Sequence, residues 1–144
     1  MQFTMHIALQ LYETGYDALA TDLLQRVRWI GTRLPYLGDS VAANMLLDRE
    51  DTPLQADISS ASCAQAILFG ICGISVQTNG SITVCPPKIR PVKNFKMQDI
   101  RLSGIHFSVI VDDNHFQVIQ YIDEKERHFS GIVGKESIKL LKRN

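Results

Sequence analysis

The sequence predicts an α+β protein in which N-terminal helices are followed by an antiparallel β-sandwich, the change falling near residue 75. Three observations carry this. Apolar residues recur every three or four positions up to about Ile71, the period of an amphipathic helix. From Ser75 onward they alternate every second position, the period of a half-buried strand. Gly, Asn, Asp and Pro punctuate that second half at short intervals, as in sandwiches. Helices then strands is a segregated order, which excludes a βαβ layout. Two regions are expected, 1–74 helical and 75–144 stranded.

In the first helix Phe3, Ile7 and Leu11 share one face, and Met5, Leu9 and Tyr12 widen the apolar arc. A helix apolar over so much of its circumference asks for cover on several sides. Gly15 stops it and Asp17 is expected to cap the next helix. Leu19, Leu23, Val27 and Ile30 then mark a face ending near Gly31, and the short connection predicts an αα-hairpin. Residues 33–57 form a long polar connection containing Pro35 and Pro53, with a brief helix expected near Val41–Leu47. Loops of this length inside a domain are either functional or disordered. A third helix is expected over Ile58–Ile71, opening with small residues that let another backbone approach closely, and Gly73 ends it.

The strand half opens at Ser75–Thr78 and turns at Asn79-Gly80, a hairpin signal, into the alternating Ile82 and Val84. Pro86, Pro87 and Pro91 then break the pattern. Phe95 and Met97 stand in odd phase, Ile100 and Leu102 in even phase, which places a β-bulge near Gln98-Asp99. Ser103-Gly104 turns the chain back into Ile105, Phe107, Val109 and Val111, and residues 112–115 turn it again into Phe116–Ile122.

Fifteen basic residues balance fifteen acidic ones among 144, so no net field favours nucleic acid or an anionic membrane. Lys135, Lys139, Lys142 and Arg143 read as a solvated terminal face. Cys63, Cys72 and Cys85 are odd in number and lack paired spacing, so neither a disulfide framework nor a zinc site is expected, and no metal or other cofactor. No apolar run is long enough to cross a membrane, and the first residues show no signal-peptide pattern, which leaves the compartment open.

The richest chemistry lies in Asp48-Arg49-Glu50-Asp51-Thr52-Pro53-Leu54-Gln55-Ala56-Asp57. A carboxylate at a helix start is held as the anion and can act as a general base, yet Asp57 or Ser59 equally fits a plain N-cap. Asp39, in Gly38-Asp39-Ser40, suits either a cap or sugar-hydroxyl recognition. Trp29 and Tyr36 flank the loop and could stack on sugar rings or simply pack. His106 and His115 read as solvent-exposed, with no Ser or Cys partner at triad spacing.

Leu34-Pro35-Tyr36-Leu37-Gly38-Asp39-Ser40 and Asp51–Asp57, taken with Phe69-Gly70-Ile71-Cys72-Gly73 and Asn79-Gly80-Ser81-Ile82-Thr83-Val84-Cys85-Pro86, resemble the end of the (α/α)6 barrel and the following sandwich of six-hairpin glycoside hydrolases, nearest to families 65 and 95. The resemblance implies that the helices close a barrel and that the parent enzyme hydrolyses glycosidic bonds. Family 65 phosphorylases carry Thr-x-x-Glu-Gly-Ile-His, whereas here Thr52 is followed by Gln55 and no matching His, so phosphate-dependent chemistry is not implied. Leu54-Gln55-Ala56-Asp57 is similar to the first half of the family 95 motif whose Asp activates water. The resemblance thus implies Asp57 as the catalytic base and Asp39, Asp51 and Gln55 as substrate-binding residues.

It also implies a general acid on an earlier hairpin, so a C-terminal fragment of this kind is expected to be inactive alone. Its expected partners are the carbohydrate substrate, through the parent enzyme, and either the remaining barrel or a second copy covering the exposed helices. The alternative is a stand-alone carbohydrate-binding or protein-interaction module. That reading asks for an aromatic platform on the strands, whereas most of Phe95, Phe107, Phe116, Tyr121 and Phe129 stand in inward phases.

Overall fold

A computed structural model describes residues 2–33 and 57–142, with Gln2 and Asp57 described by their backbone alone. Among the described residues three N-terminal helices precede two antiparallel sheets, an α+β fold. The chain separates into two compact units, Met1–Gly70 and Ile71–Asn144.

In the helical unit α1 spans Gln2–Glu13 and α2 spans Asp17–Gly31. The turn between them closes in two bonds, Gly15 N–H to Tyr12 O at 3.1 Å and Tyr16 N–H to Leu11 O at 2.8 Å. Together with Gly15 at φ 81°, these satisfy carbonyls that the end of α1 would leave open, in the manner of a Schellman motif. Asp17 is not the cap: Tyr16 holds that position without a side-chain bond, and Asp17 is the first helical residue. Its carboxylate still favours the positive end of the helix. The buried stripe of α2 is also displaced from the expected one. Ala20, Leu24 and Val27 face inward, while Leu19 is exposed and Leu23 and Ile30 lie half-buried.

Helix α3 runs Asp57–Gln65 and continues as a π-helical turn, Ala66–Ile71. Ser59, Ser62 and Ala66 form its buried side. Ser59 therefore lies inside the helix and is not its cap. Ser62 Oγ donates to Ile58 O at 2.8 Å and lies 3.1 Å from His6 Nε2, tying α3 to α1. At Gly70 the π-helical turn lies against Tyr12: a Cβ there would stand 2.8 Å from the ring. Tyr12 OH in turn meets Thr21 Oγ1 at 2.9 Å, joining α1 to α2. The expected short helix near 41–47 lies outside the described residues.

The stranded unit opens with Gly73, whose φ of 64° and contact with the Cys85 carbonyl leave no room for a side chain. Strands β1 (Ile74–Val76) and β2 (Ile82–Val84) pair antiparallel, and β7 (Ile138–Leu140) completes a three-stranded sheet in the order β1-β2-β7. The β1–β2 hairpin has a three-residue loop rather than a two-residue Asn-Gly turn. Gln77 N–H reaches Ser81 O, Gly80 N–H reaches Gln77 O, and Gly80 takes the left-handed position at φ 78°.

Strands β3 (Phe95–Leu102), β4 (Ile105–Asp112), β5 (His115–Ile122) and β6 (Lys125–Ile132) form a four-stranded meander. The β3–β4 register shifts between Met97 and Ile100, where Asp99 has φ 55°. The bulge expected from the phase change is therefore present, and it keeps Phe95, Met97 and Ile100 on one face. Ser103-Gly104 and Asp123-Glu124 turn with both residues at positive φ, the geometry that matches strand twist. Inward positions of β4 and β5 hold Phe107, Val109, Val111, Phe116 and Val118, all buried, as are Ile82, Val84 and Leu140 of the smaller sheet.

The proline-rich segment between β2 and β3 is held by Arg90, which is nearly buried. Its guanidinium donates to the carbonyls of Pro87, Lys88, Lys93 and Asp113, at 2.5–3.4 Å. Backbone oxygens thus help to solvate a buried cation.

Candidate functional site

Asp39, Asp51 and Gln55 lie outside the described residues, as does Tyr36. Asp57 is the first residue of α3, so its backbone stands where free helix N–H groups favour an anion. The side chains of Trp29, His106 and His115 are described. Trp29, at the end of α2, is half-exposed and has the guanidinium carbon of Arg33 4.1 Å from its ring centroid. His115 begins β5 and is exposed.

His106 has partners that its sequence neighbourhood does not reveal. Its Nε2 lies 3.1 Å from Asp99 Oδ1, and its ring is tilted on that of Tyr121 with centroids 4.5 Å apart. Ser108, buried beside them, accepts from Asp99 N–H at 3.3 Å and shares a hydrogen bond with Tyr121 OH at 3.1 Å. The group looks triad-like in composition but not in connection. Ser108 Oγ is engaged by the bulge and by Tyr121, and it has no hydrogen bond to His106 among the described residues. Its role is to pin the bulge of β3 to β4 and β5.

A second cluster forms where β6 and β7, the edge strands of the two sheets, come together. A groove of about 550 Å³ is rimmed by Lys125 and Arg127 of β6 and by Lys139 and Lys142 of the C-terminal segment. Ile122, Phe129 and Leu141 supply apolar wall, and the nearly buried Gln120 donates from Nε2 to Leu141 O at 3.2 Å. One carboxylate, Asp123, also lines it. Among the described residues none of the four cations is in an ion pair. In the sequence Lys139 and Lys142 read as part of a solvated face, and Lys125 and Arg127 do not stand out. The available signal was Lys125-x-Arg127, two cations in the inward phase of a strand.

None of the three cysteines is in a disulfide. Burial pushes Cys72 up to about 12 and raises Cys63 as well, so neither is a ready nucleophile. Among the described residues no group of three or more His, Cys, Asp or Glu side chains is placed to hold a metal ion. No helix among them is long and apolar enough to cross a membrane.

No family model, curated protein or solved structure matches this chain.

Proposed function

We propose that this chain is the C-terminal part of a glycoside hydrolase, its helices completing a barrel made with further helices and its sheets forming the domain that follows. The supporting observation is the apolar surface left on two contacting helices. On α1, Phe3 is 75% and Ile7 53% exposed, one turn apart, while Met5 and Ala8 of the same helix are buried. On α3, Ile58 is 59% exposed beside the buried Ser59. A helix greasy on both its packed and its open side is suited to neighbours on both. The sheets do not favour the platform alternative, since Phe107 and Phe116 are buried and cannot stack on a sugar.

In this reading Asp57 activates water from the start of α3, with Asp39, Asp51 and Gln55 binding the sugar. The general acid stands on a helix of the completed barrel, across a gap of roughly 6.5–9.5 Å that admits the water. A base without that acid cannot hold the transition state, so the chain alone is expected to leave aryl glycosides intact. It is also expected to self-associate through the open helix faces, and Phe3→Ser with Ile7→Ser should return it to a monomer in sedimentation velocity. A wild-type chain that stays monomeric at high concentration, or that turns over a glycoside through Asp57, would sink the proposal.

A further inference from the structure

We propose that the groove between β6 and β7 binds an acidic saccharide, one whose sugar units carry carboxylate or sulfate groups; the inference rests on the carbohydrate reading above and names a ligand class for it. The chain is electrically neutral, with fifteen charges of each sign, yet four cations without ion pairs among the described residues converge on this one groove. Asp123 offsets one of them at most.

The placement is not that of scattered surface lysines. Lys125 and Arg127 alternate along one strand, so their side chains leave the same face about 7 Å apart. They share the phase of Phe129 and Gly131, whose partners across β5 are the buried Val118 and Phe116. Lys139 and Lys142 come from the other sheet's edge and close the opposite rim. A ligand between them meets cations from both sides. Arg127 offers a planar fork matched to carboxylate or sulfate, and the lysines act as point charges.

The walls decide which anion fits. Ile122, Phe129 and Leu141 present apolar surface suited to the C–H face of a pyranose. A volume of about 550 Å³ falls within the range of small-ligand clefts. A nucleic acid is less well served: the groove has a single aromatic side chain for base stacking, and the neutral chain has no long-range field to steer a polyanion. Inward-pointing charges also guard an edge strand against pairing. That accounts for Lys125 and Arg127 but not for the two lysines facing them.

The test is calorimetric titration of the full chain with four probes: oligogalacturonate, a heparin tetrasaccharide, neutral maltotetraose and a short single-stranded DNA. One or both acidic saccharides should bind at least tenfold more tightly than maltotetraose, the arm that binds identifying carboxylate or sulfate as the recognised group. Arg127→Ala and Lys139→Ala should each weaken that binding about tenfold, Arg127→Lys less, and Lys135→Ala, outside the groove, not at all. Circular dichroism of each variant separates loss of binding from loss of fold.

Equal affinity for neutral and acidic saccharides overturns the inference and leaves the carbohydrate reading intact. Tighter binding of DNA than of every saccharide overturns the inference and counts against that reading too. Silence with all four probes overturns the inference, while the glycosidase reading still stands or falls on the helix association described above.

Discussion

The helical and stranded units of this chain solve the problem of burial in opposite ways. In the stranded unit the most deeply buried residues are large or branched: Phe107, Ile82, Leu140, Val84, Val109, Val111 and Val118. In the helical unit they are small: Ala8, Ala20, Ala66, Ser59 and Ser62, while Phe3, Ile7, Leu19 and Ile58 remain open to water. Hydrophobic stabilisation scales with apolar area removed from water, about 25 cal/mol per Å². The sheets therefore draw on their own core. The helices spend their small residues on close approach and leave much of their large apolar surface for something else to cover.

The strongest way to break this comparison is to remove the largest fully buried side chain of the sheets. Phe107→Ala should cost about 3–5 kcal/mol, because the cavity lies in a core with little freedom to collapse. Amide exchange of β4 and β5 under native conditions measures it. A loss below 1 kcal/mol would show that the stranded unit is not held by that core.

Gly70→Ala probes the helical strategy directly. The added methyl would press on the Tyr12 ring at 2.8 Å, and forcing the π-helical turn away from α1 should cost about 1–3 kcal/mol. Trp29 is the only tryptophan and lies in the helical unit, so denaturant unfolding followed by its fluorescence reports on that unit. An unchanged midpoint would mean that the close approach carries no stability.

The mildest probe is alkaline pH. Cys72 is protonated in the folded chain up to about 12, whereas an unfolded thiol ionises near 8.5. Its stabilising contribution is thus complete below the unfolded value and is lost as pH rises toward the folded one. The slope is at most about 1.4 kcal/mol per pH unit. Cys72→Ala should flatten that decline in unfolding experiments between pH 9 and 11. An identical decline in the variant would assign alkaline sensitivity to other groups.

Where local pattern sufficed, the sequence reading and the structure coincide. The change of period near residue 75, the stop at Gly15, the bulge at Asp99 and the Ser103-Gly104 turn each depend on residues adjacent in the chain. The long polar segment that holds Asp39, Asp51 and Gln55, with the side chain of Asp57, lies outside the described residues.

Helix α2 shows the limit of periodicity. Leu19, Leu23 and Val27 form a regular stripe in the sequence, yet the buried residues are Ala20, Leu24 and Val27, so the sealed face includes the small residue at position 20 and leaves Leu19 outside. The bonds of Arg90 to Asp113 O and of Ser108 to Tyr121 join segments that only strand pairing brings together.

The sequence by itself determined the alternation of apolar and polar residues, the positions where only glycine or a short polar side chain turns easily, and the zero net charge, since all of these are properties of neighbours or of composition. Tertiary structure alone decided which side of each helix is sealed, and it gathered Lys125, Arg127, Lys139 and Lys142 around one groove. That second set depends on which strand edges and helix faces meet, and long-range meetings are set by the packing of the whole unit, which no local pattern encodes.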